Sequence, residues 1–231
     1  MALPLVSIII PCWQSAETIG RTLRAIFSQS YPLFEVIVVD DGSTDALVPA
    51  LAPFSNRLAV FSLPENRGAP SARNAGYKIA RGELVMFTDA DLIMKPTCLE
   101  QLVKALENNP SVAFAFPSFR WGWKLFRPGK WNPIALQTQN YIHTSALIRS
   151  SAQPYFDESL LRFQDWDLWL TFIEKGLSGI WVPETLYRII PRKGTLGMSS
   201  WMPSSWYHLP WERLGFIPKS IQKYRQAAEI V

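Results

Sequence analysis

Two aspartates one residue apart, Asp89 and Asp91, stand at the end of an apolar run in "ELVMFTDADLIMK", residues 83–95. Like charges that close destabilise each other unless a cation sits between them and a ligand. Hard divalent cations, Mg²⁺ or Mn²⁺, prefer carboxylate oxygens, keep part of their water shell and bridge to substrate phosphates. Two other apolar runs end in polar groups: "VSIIIPCW" at Pro11-Cys12-Trp13, and "FEVIVVDDGSTD" at Asp40-Asp41. If these runs are strands of one parallel sheet, their carboxyl ends share a rim, where such sheets bind ligands. The expectation is an oxygen-rich site in which a divalent ion, shared with a diphosphate, neutralises the aspartate pair. An isolated Asp-x-Asp is a weak signal, since acids after strands commonly form turns or caps. Two acidic strand ends on one rim are a stronger one.

The elements that hold these tips follow from periodicity. Leu5 to Pro11 is β-branched and apolar without alternation, as in a strand buried on both faces. "SAETIGRTLRAIFSQS" puts Ile19, Leu23, Ile26 and Phe27 on one helical face, with Ser15 as the expected N-cap. A short, weak helix is expected over Ala46 to Phe54, interrupted by Pro49, and a third strand in "RLAVFSLP". "GAPSARNAGYKIARG" reads as a helix opened at Pro70–Ser71 and closed by Gly82. A fourth strand, "ELVMFTDAD", precedes a helix with Pro96 in its first turn, and "SVAFAFPSF" is a fifth strand. Alternating strands and helices over the first 120 or so residues imply a parallel sheet covered on both faces. The second half is less regular: a Trp-rich loop from Trp121 to Trp131, a strand or hairpin in "TQNYIHTSALIRS", a buried helix in "FQDWDLWLTFIEKG" ended by Gly176, and a strand pair in "GIWVPETLYRI".

Composition bounds the function. The 231 residues are 48% hydrophobic with no Pro/Gly/Ser-rich linker, which implies one domain with one large core. A net charge of +4 suits a phosphate-bearing substrate or an anionic membrane surface, and with no basic run it argues against nucleic acid. Cys12 and Cys98 are far apart and imply neither a disulfide framework nor a zinc site. The apolar N-terminus is strand length without a positive leader, and no apolar run reaches bilayer-spanning length, so a cytoplasmic protein is expected. The strand-1 loop holds no Gly-x-Gly-x-x-Gly and the chain no Gly-x-x-x-x-Gly-Lys-Ser/Thr. This disfavours dinucleotide oxidoreductases and P-loop NTPases.

"VSIIIPCWQSAETIGRTLRAIFSQSYPLFEVIVVDDGSTD", "NRGAPSARNAG", "GELVMFTDADL" and "FQDWDLWLTFIEKG", in that order over residues 5 to about 190, resemble family 2 glycosyltransferases. The resemblance implies an α/β GT-A fold with a mostly parallel sheet. It divides the chain into a nucleotide-sugar-binding half over about 1–118, an acceptor-binding half over about 119–195 and a Trp-rich C-terminal arm over 196–231. The backbone at Pro11 and the carboxylate of Asp41 match positions that recognise the nucleotide base; Asn66 and Arg73 match positions that complete that pocket. Asp89 and Asp91 match the family's Asp-x-Asp for the ribose and a Mn²⁺ or Mg²⁺ ion, with Asp91 as the direct metal ligand and Asp40 as a support. Asp165 matches the catalytic base of an inverting, metal-dependent transfer from a nucleotide-diphosphate sugar, UDP-linked by preference, to a saccharide or lipid-linked acceptor in cell-envelope polysaccharide synthesis. On residue chemistry alone, Asp165 is equally well read as an acid favoured by a helix dipole.

This chain departs from the family in Gln164, where the family usually has Glu before the base, and in Leu92, where a third acid is usual. It also lacks a histidine in "YRIIPRKGTLGMSS", where Arg188, Arg192 or Lys193 stand as alternative diphosphate contacts. His143 and His208 read as structural or exposed histidines. Trp121, Trp123 and Trp131 with Lys124, Arg127 and Lys130, and Trp201, Trp206 and Trp211 with Arg213 and Lys219, suit sugar stacking or a membrane interface as well as ordinary packing. The expectation drawn from them is peripheral contact with the inner face of the membrane through the C-terminal arm. Two rival functions remain at this point. One is a non-catalytic nucleotide-sugar-binding protein, favoured only by Gln164. The other is a sugar-1-phosphate nucleotidyltransferase, disfavoured because "PCWQSAE" lacks a Gly-rich basic loop.

Overall fold

The computed structural model describes residues 3–160 and 162–190. At its centre lies β1 (Val6–Cys12), whose Ile8, Ile9 and Ile10 are all fully buried, as the unalternated run requires. β1 pairs in parallel with β2 (Phe34–Asp41) on one side and β4 (Leu84–Phe87) on the other, and β2 pairs in parallel with the exposed edge strand β3 (Ala59–Leu63). Successive side chains of a strand point to opposite faces. Ile8 and Ile10 therefore join one core with α1 (Ala16–Ile26), α2 (Leu47–Leu51) and α4 (Cys98–Glu107). Ile9 joins the other, with α3 (Ala69–Ile79) and α6 (Gln164–Glu174).

The second half departs from a simple parallel array. Among the described residues nine strands form one mixed sheet. The expected fifth strand, β6 (Phe114–Trp121), does not lie beside β4; β8 (Leu147–Arg149) inserts between them, antiparallel to both. The expected late strand pair is a single strand, β9 (Gly179–Ile189), parallel to β6 with a register shift where Val182 faces Pro117 and Thr185 faces Ser118. The shift leaves Pro183 and Glu184 outside the ladder, the place where a proline is tolerated. Leu92–Met94 forms β5, an antiparallel neighbour of β9. The Trp-rich loop contains β7 (Lys124–Phe126), which pairs back on β6 as a hairpin, and is followed by a short helix, α5 (Pro133–Thr138). No helix among the described residues is long and apolar enough to cross a membrane. Arg192, Lys193, His208 and the C-terminal Trp cluster lie outside the described residues.

Candidate active site

The rim at the carboxyl ends of β1, β2 and β4 opens into a cleft of about 380 Å³, whose lining includes Pro11, Trp13, Asp41, Asn66, Arg73, Asp89 and Asp91. Each is held by contacts that cross the fold. Thr88 continues the β1 ladder by donating its N–H to Ile9 O (2.9 Å), and Leu92 N donates to Asp89 O (3.2 Å), so the Asp89–Leu92 segment is a tight turn. Thr22 Oγ1 on α1 donates to Ala90 O (2.9 Å), and Ile190 N donates to Asp91 O (3.1 Å). The turn therefore cannot move without α1 and the end of β9.

Asp41 is 2% exposed, and its two carboxylate oxygens accept N–H groups of Arg67 (2.8 Å) and Gly68 (2.9 Å). Its first role is thus to fold the Asn66–Gly68 loop over the cleft. Asp40 Oδ1 accepts Ser43 N (2.9 Å), a local turn contact. Between them and the loop, Gly42 adopts φ +68°, and a Cβ there would lie 2.6 Å from the carbonyl carbon of Glu65. Ser15 occupies the N-cap position of α1, yet its hydroxyl donates to Trp13 O (3.0 Å), and the free Ala16 N–H is met by Asp45 Oδ2 (2.8 Å) from the loop after β2. The expected side-chain cap is not made, and one helix N-terminal N–H is met instead from 29 residues away.

Arg73, on α3 and 7% exposed, joins the two halves of the chain. Its Nη2 donates to Asp89 Oδ1 (3.0 Å) and its Nη1 to Gln164 Oε1 (3.0 Å), while its Nε is buried without a hydrogen-bond partner. The neighbouring Asn74 clamps the same two segments: its amide donates to Phe156 O and Glu158, and its oxygen accepts Phe156 N. Gln164 and Asp165 open α6, after Phe163 in the left-handed region at φ +59°.

Asp165 is half-buried and is not part of the cleft lining; the path between them runs through Gln164 and Arg73. Its Oδ2 accepts Asn140 Nδ2 (2.9 Å) and its Oδ1 accepts Trp166 N (2.9 Å). Burial raises its pKa above the ordinary carboxylate value, and His143, those two hydrogen bonds and Arg73 oppose the rise in part. His143, buried against Phe119 and Tyr187, has Nε2 3.6 Å from Asp89 Oδ2. Its Nδ1 accepts Ser145 N (3.1 Å), so the ring proton sits on Nε2, facing Asp89. Burial lowers its pKa and keeps the ring neutral.

The cleft lining carries three carboxylates and one guanidinium. Among the described residues no three metal-ligating side chains cluster as a cage. The donor set therefore does not fit a resident ion held by protein alone. It fits Mg²⁺ or Mn²⁺ carried by one or two carboxylates, waters and a ligand's phosphates. Asp89 is engaged by Arg73 and faces His143.

The sequence model of "Glycosyl transferase family 2" matches residues 7–163. The chain belongs to glycosyl transferase family 2. Amylovoran biosynthesis glycosyltransferase AmsB of Erwinia amylovora is 31% identical over 215 residues, 82% of this chain and 71% of AmsB. The putative teichuronic acid biosynthesis glycosyltransferase TuaG of Bacillus subtilis (strain 168) is 36% identical over 119 residues, 50% of this chain and 47% of TuaG. S. aureus TarS in complex with UDP-GlcNAc superposes with a TM-score of 0.73 at 22% identity, over 85% of this chain and 61% of that one. Mannosyltransferase PcManGT from Pyrobaculum calidifontis, in complex with GDP-Man and Mn²⁺, gives 0.66 at 23% identity, over 84% and 59%. The chain thus spans about half of TuaG and about three-fifths of these two structures. The likeness to the structures establishes the fold, that of the GT-A glycosyltransferases.

Three residues of this family 2 glycosyltransferase carry the site without a sequence signal that singled them out. Asn140 fixes one oxygen of Asp165, His143 faces Asp89, and Asn74 ties α3 to residues 156–158. Asn140 and His143 share the stretch "NYIH", which brings one to each carboxylate, but no local pattern announces it. Arg188 is exposed on β9 and is absent from the cleft lining.

Proposed function

We propose that this chain transfers a sugar, with inversion, from a nucleotide-diphosphate sugar to an acceptor hydroxyl, with Asp165 as the base and Mn²⁺ or Mg²⁺ at Asp91. The observation that carries the reading is the three-carboxylate cleft tied through Arg73 and Gln164 to the helix bearing Asp165. A diphosphate adds negative charge to a lining that already has two more carboxylates than cations, so it binds there only with a cation. When bound, a divalent ion supplies neutralisation of the diphosphate's charge. Trp13, 55% exposed at the cleft, offers a ring for the nucleotide base to stack on, and the unpartnered Arg73 Nε offers a donor to a ligand oxygen.

In the reaction, the acceptor oxygen forms a bond to the anomeric carbon as the bond from that carbon to the diphosphate oxygen breaks. The acceptor's proton passes to a carboxylate oxygen of Asp165. Each of those oxygens spends one lone pair on Asn140 or Trp166 and keeps another for the proton. The raised pKa of Asp165 strengthens it as a base. A UDP donor is favoured by the UDP-GlcNAc complex of TarS, and GDP is the alternative through PcManGT. The relatives' names, for teichuronic acid and amylovoran biosynthesis, favour a saccharide or lipid-linked saccharide acceptor in cell-envelope polysaccharide assembly.

The alternative, a non-catalytic nucleotide-sugar-binding protein, rests on Gln164, whose amide oxygen meets Arg73. The test is a thermal-shift screen of UDP, GDP and their sugars with and without Mn²⁺, followed by turnover of the best donor by wild type and Asp165→Asn. Metal-dependent stabilisation in both proteins, with turnover falling about 10²–10⁴-fold in the variant, is expected. Equal turnover, or stabilisation indifferent to Mn²⁺, refutes the proposal.

A further inference from the structure

The β6–β7 hairpin ends in an arrangement that neither the fold nor the cleft requires. Trp121 pairs with Lys124, so Gly122 and Trp123 form a two-residue turn. Gly122 takes φ +54°, the conformation that such turns demand of their first central residue. Trp123 takes no positive φ and meets no such demand, yet it holds the largest apolar side chain at 97% exposure.

Cations accompany it along the chain. Residues 108–156 contain no Asp or Glu, while Arg120, Lys124, Arg127 and Lys130 fall within or beside the hairpin. Arg120 is also the register partner of Arg188 on β9, and both are exposed. Like charges at paired sheet positions repel unless an anion covers them. None of these five cations forms a salt bridge among the described residues. Arg120 Nη1 instead donates to the backbone Trp123 O (3.1 Å), which holds the guanidinium at the turn.

We infer that this hairpin tip docks on an anionic lipid surface, with the Trp123 indole entering the interface and Arg120, Lys124 and Arg188 meeting lipid phosphates. An exposed indole on a hairpin that carries cations matches the apolar-then-anionic layering of a headgroup region. A soluble polyanion would engage the cations and leave the indole in water. The hairpin's base adjoins the site: Phe126 stacks on Phe119 (5.0 Å), and Phe119 packs on His143 (5.2 Å). From Phe119 to the tip is four residues, about 13 Å of extended chain. Docking would hold the Asp165 side of the molecule near a lipid-linked acceptor; that consequence rests on the proposed function, whereas the docking itself does not.

Co-flotation of the full chain with phosphatidylcholine vesicles, with and without phosphatidylglycerol, tests the inference without turnover. Wild type is expected to float with the anionic vesicles only. Arg120→Gln/Lys124→Gln/Arg188→Gln should weaken binding about 100-fold, from about fivefold per cation. Trp123→Ser should weaken it at least about tenfold with an unchanged melting temperature, since the indole supports nothing in the fold. Absence of wild-type binding, or binding by either variant equal to wild type, overturns the inference.

Discussion

Replacement of Arg73 by Gln is the most searching perturbation of this site, because one guanidinium serves both carboxylate systems. The residue is 7% exposed and makes hydrogen bonds of 3.0 Å to Asp89 and 3.0 Å to Gln164. Both bonds have a charged donor, and a charge-assisted bond contributes about 1.5–3 kcal/mol. The guanidinium also lies over the Phe156 ring at 5.1 Å, worth about 0.5–1 kcal/mol. Asp89 is about one-third exposed, so water screens the ion pair and part of that sum is recovered on its loss. The net destabilisation expected for Arg73→Gln is about 2–3 kcal/mol, which for a chain of this size lowers Tm by about 5–10 °C.

The same change bears on the base. Arg73 is one of the groups that oppose the burial-driven rise of the Asp165 pKa. Without it that pKa climbs further, and the acid limb of the pH–rate profile, where the base must first lose its proton, moves to higher pH. Arg73→Lys keeps a cation near Asp89 and loses the fork, so it should fall between wild type and Arg73→Gln in both measurements. Differential scanning calorimetry and kcat/KM across pH supply the two readouts. A Tm within about 1 °C of wild type, or an acid limb that stays put, would refute the reasoning that Arg73 couples the two halves.

Gln164→Glu places a carboxylate against Arg73 and one residue from the base; like charge should raise the Asp165 pKa further and move the acid limb of kcat/KM upward, with nucleotide affinity by calorimetric titration unchanged. Gly42→Ala combines a left-handed φ with a Cβ 2.6 Å from the Glu65 carbonyl carbon, and should cost about 1–2 kcal/mol of strain plus displacement of the Asn66 loop, seen as a lower Tm and weaker nucleotide binding. Glu35 accepts bonds from Ser7 (2.6 Å) and Arg81 (2.7 Å); burial pulls its pKa up, but those bonds bring it below the ordinary value. Its contribution is therefore present above the unfolded pKa and lost as pH falls through the lowered folded one. Glu35→Gln should remove about 1 kcal/mol at neutral pH, discounted for the exposed Arg81, and flatten the acid side of the urea-stability profile.

The sequence by itself determined the first five elements and the rim. An unalternated apolar run such as Val6–Ile10 can only be a strand covered on both faces, and acids at the ends of two such runs must meet where parallel strands end. The fold family was equally legible, because its motifs recur in order along the chain. Local pattern carries this kind of information because each element's period and caps are set by neighbours in sequence.

Tertiary structure decided everything that depends on which distant segments touch. The insertion of β8 between β4 and β6 sets one antiparallel strand between two that run the same way, and Leu147–Arg149 is too short a run to announce it. Ser15 makes no side-chain cap, its hydroxyl donating to Trp13 O instead, and the first N–H of α1, on Ala16, is met by Asp45 from across the fold. The pairing of Arg73 with Gln164, 91 residues apart, and the facing of His143 to Asp89 leave no trace in local spacing. Packing brings these groups to hydrogen-bonding range at low exposure, and burial in turn gives Asp165 its raised pKa.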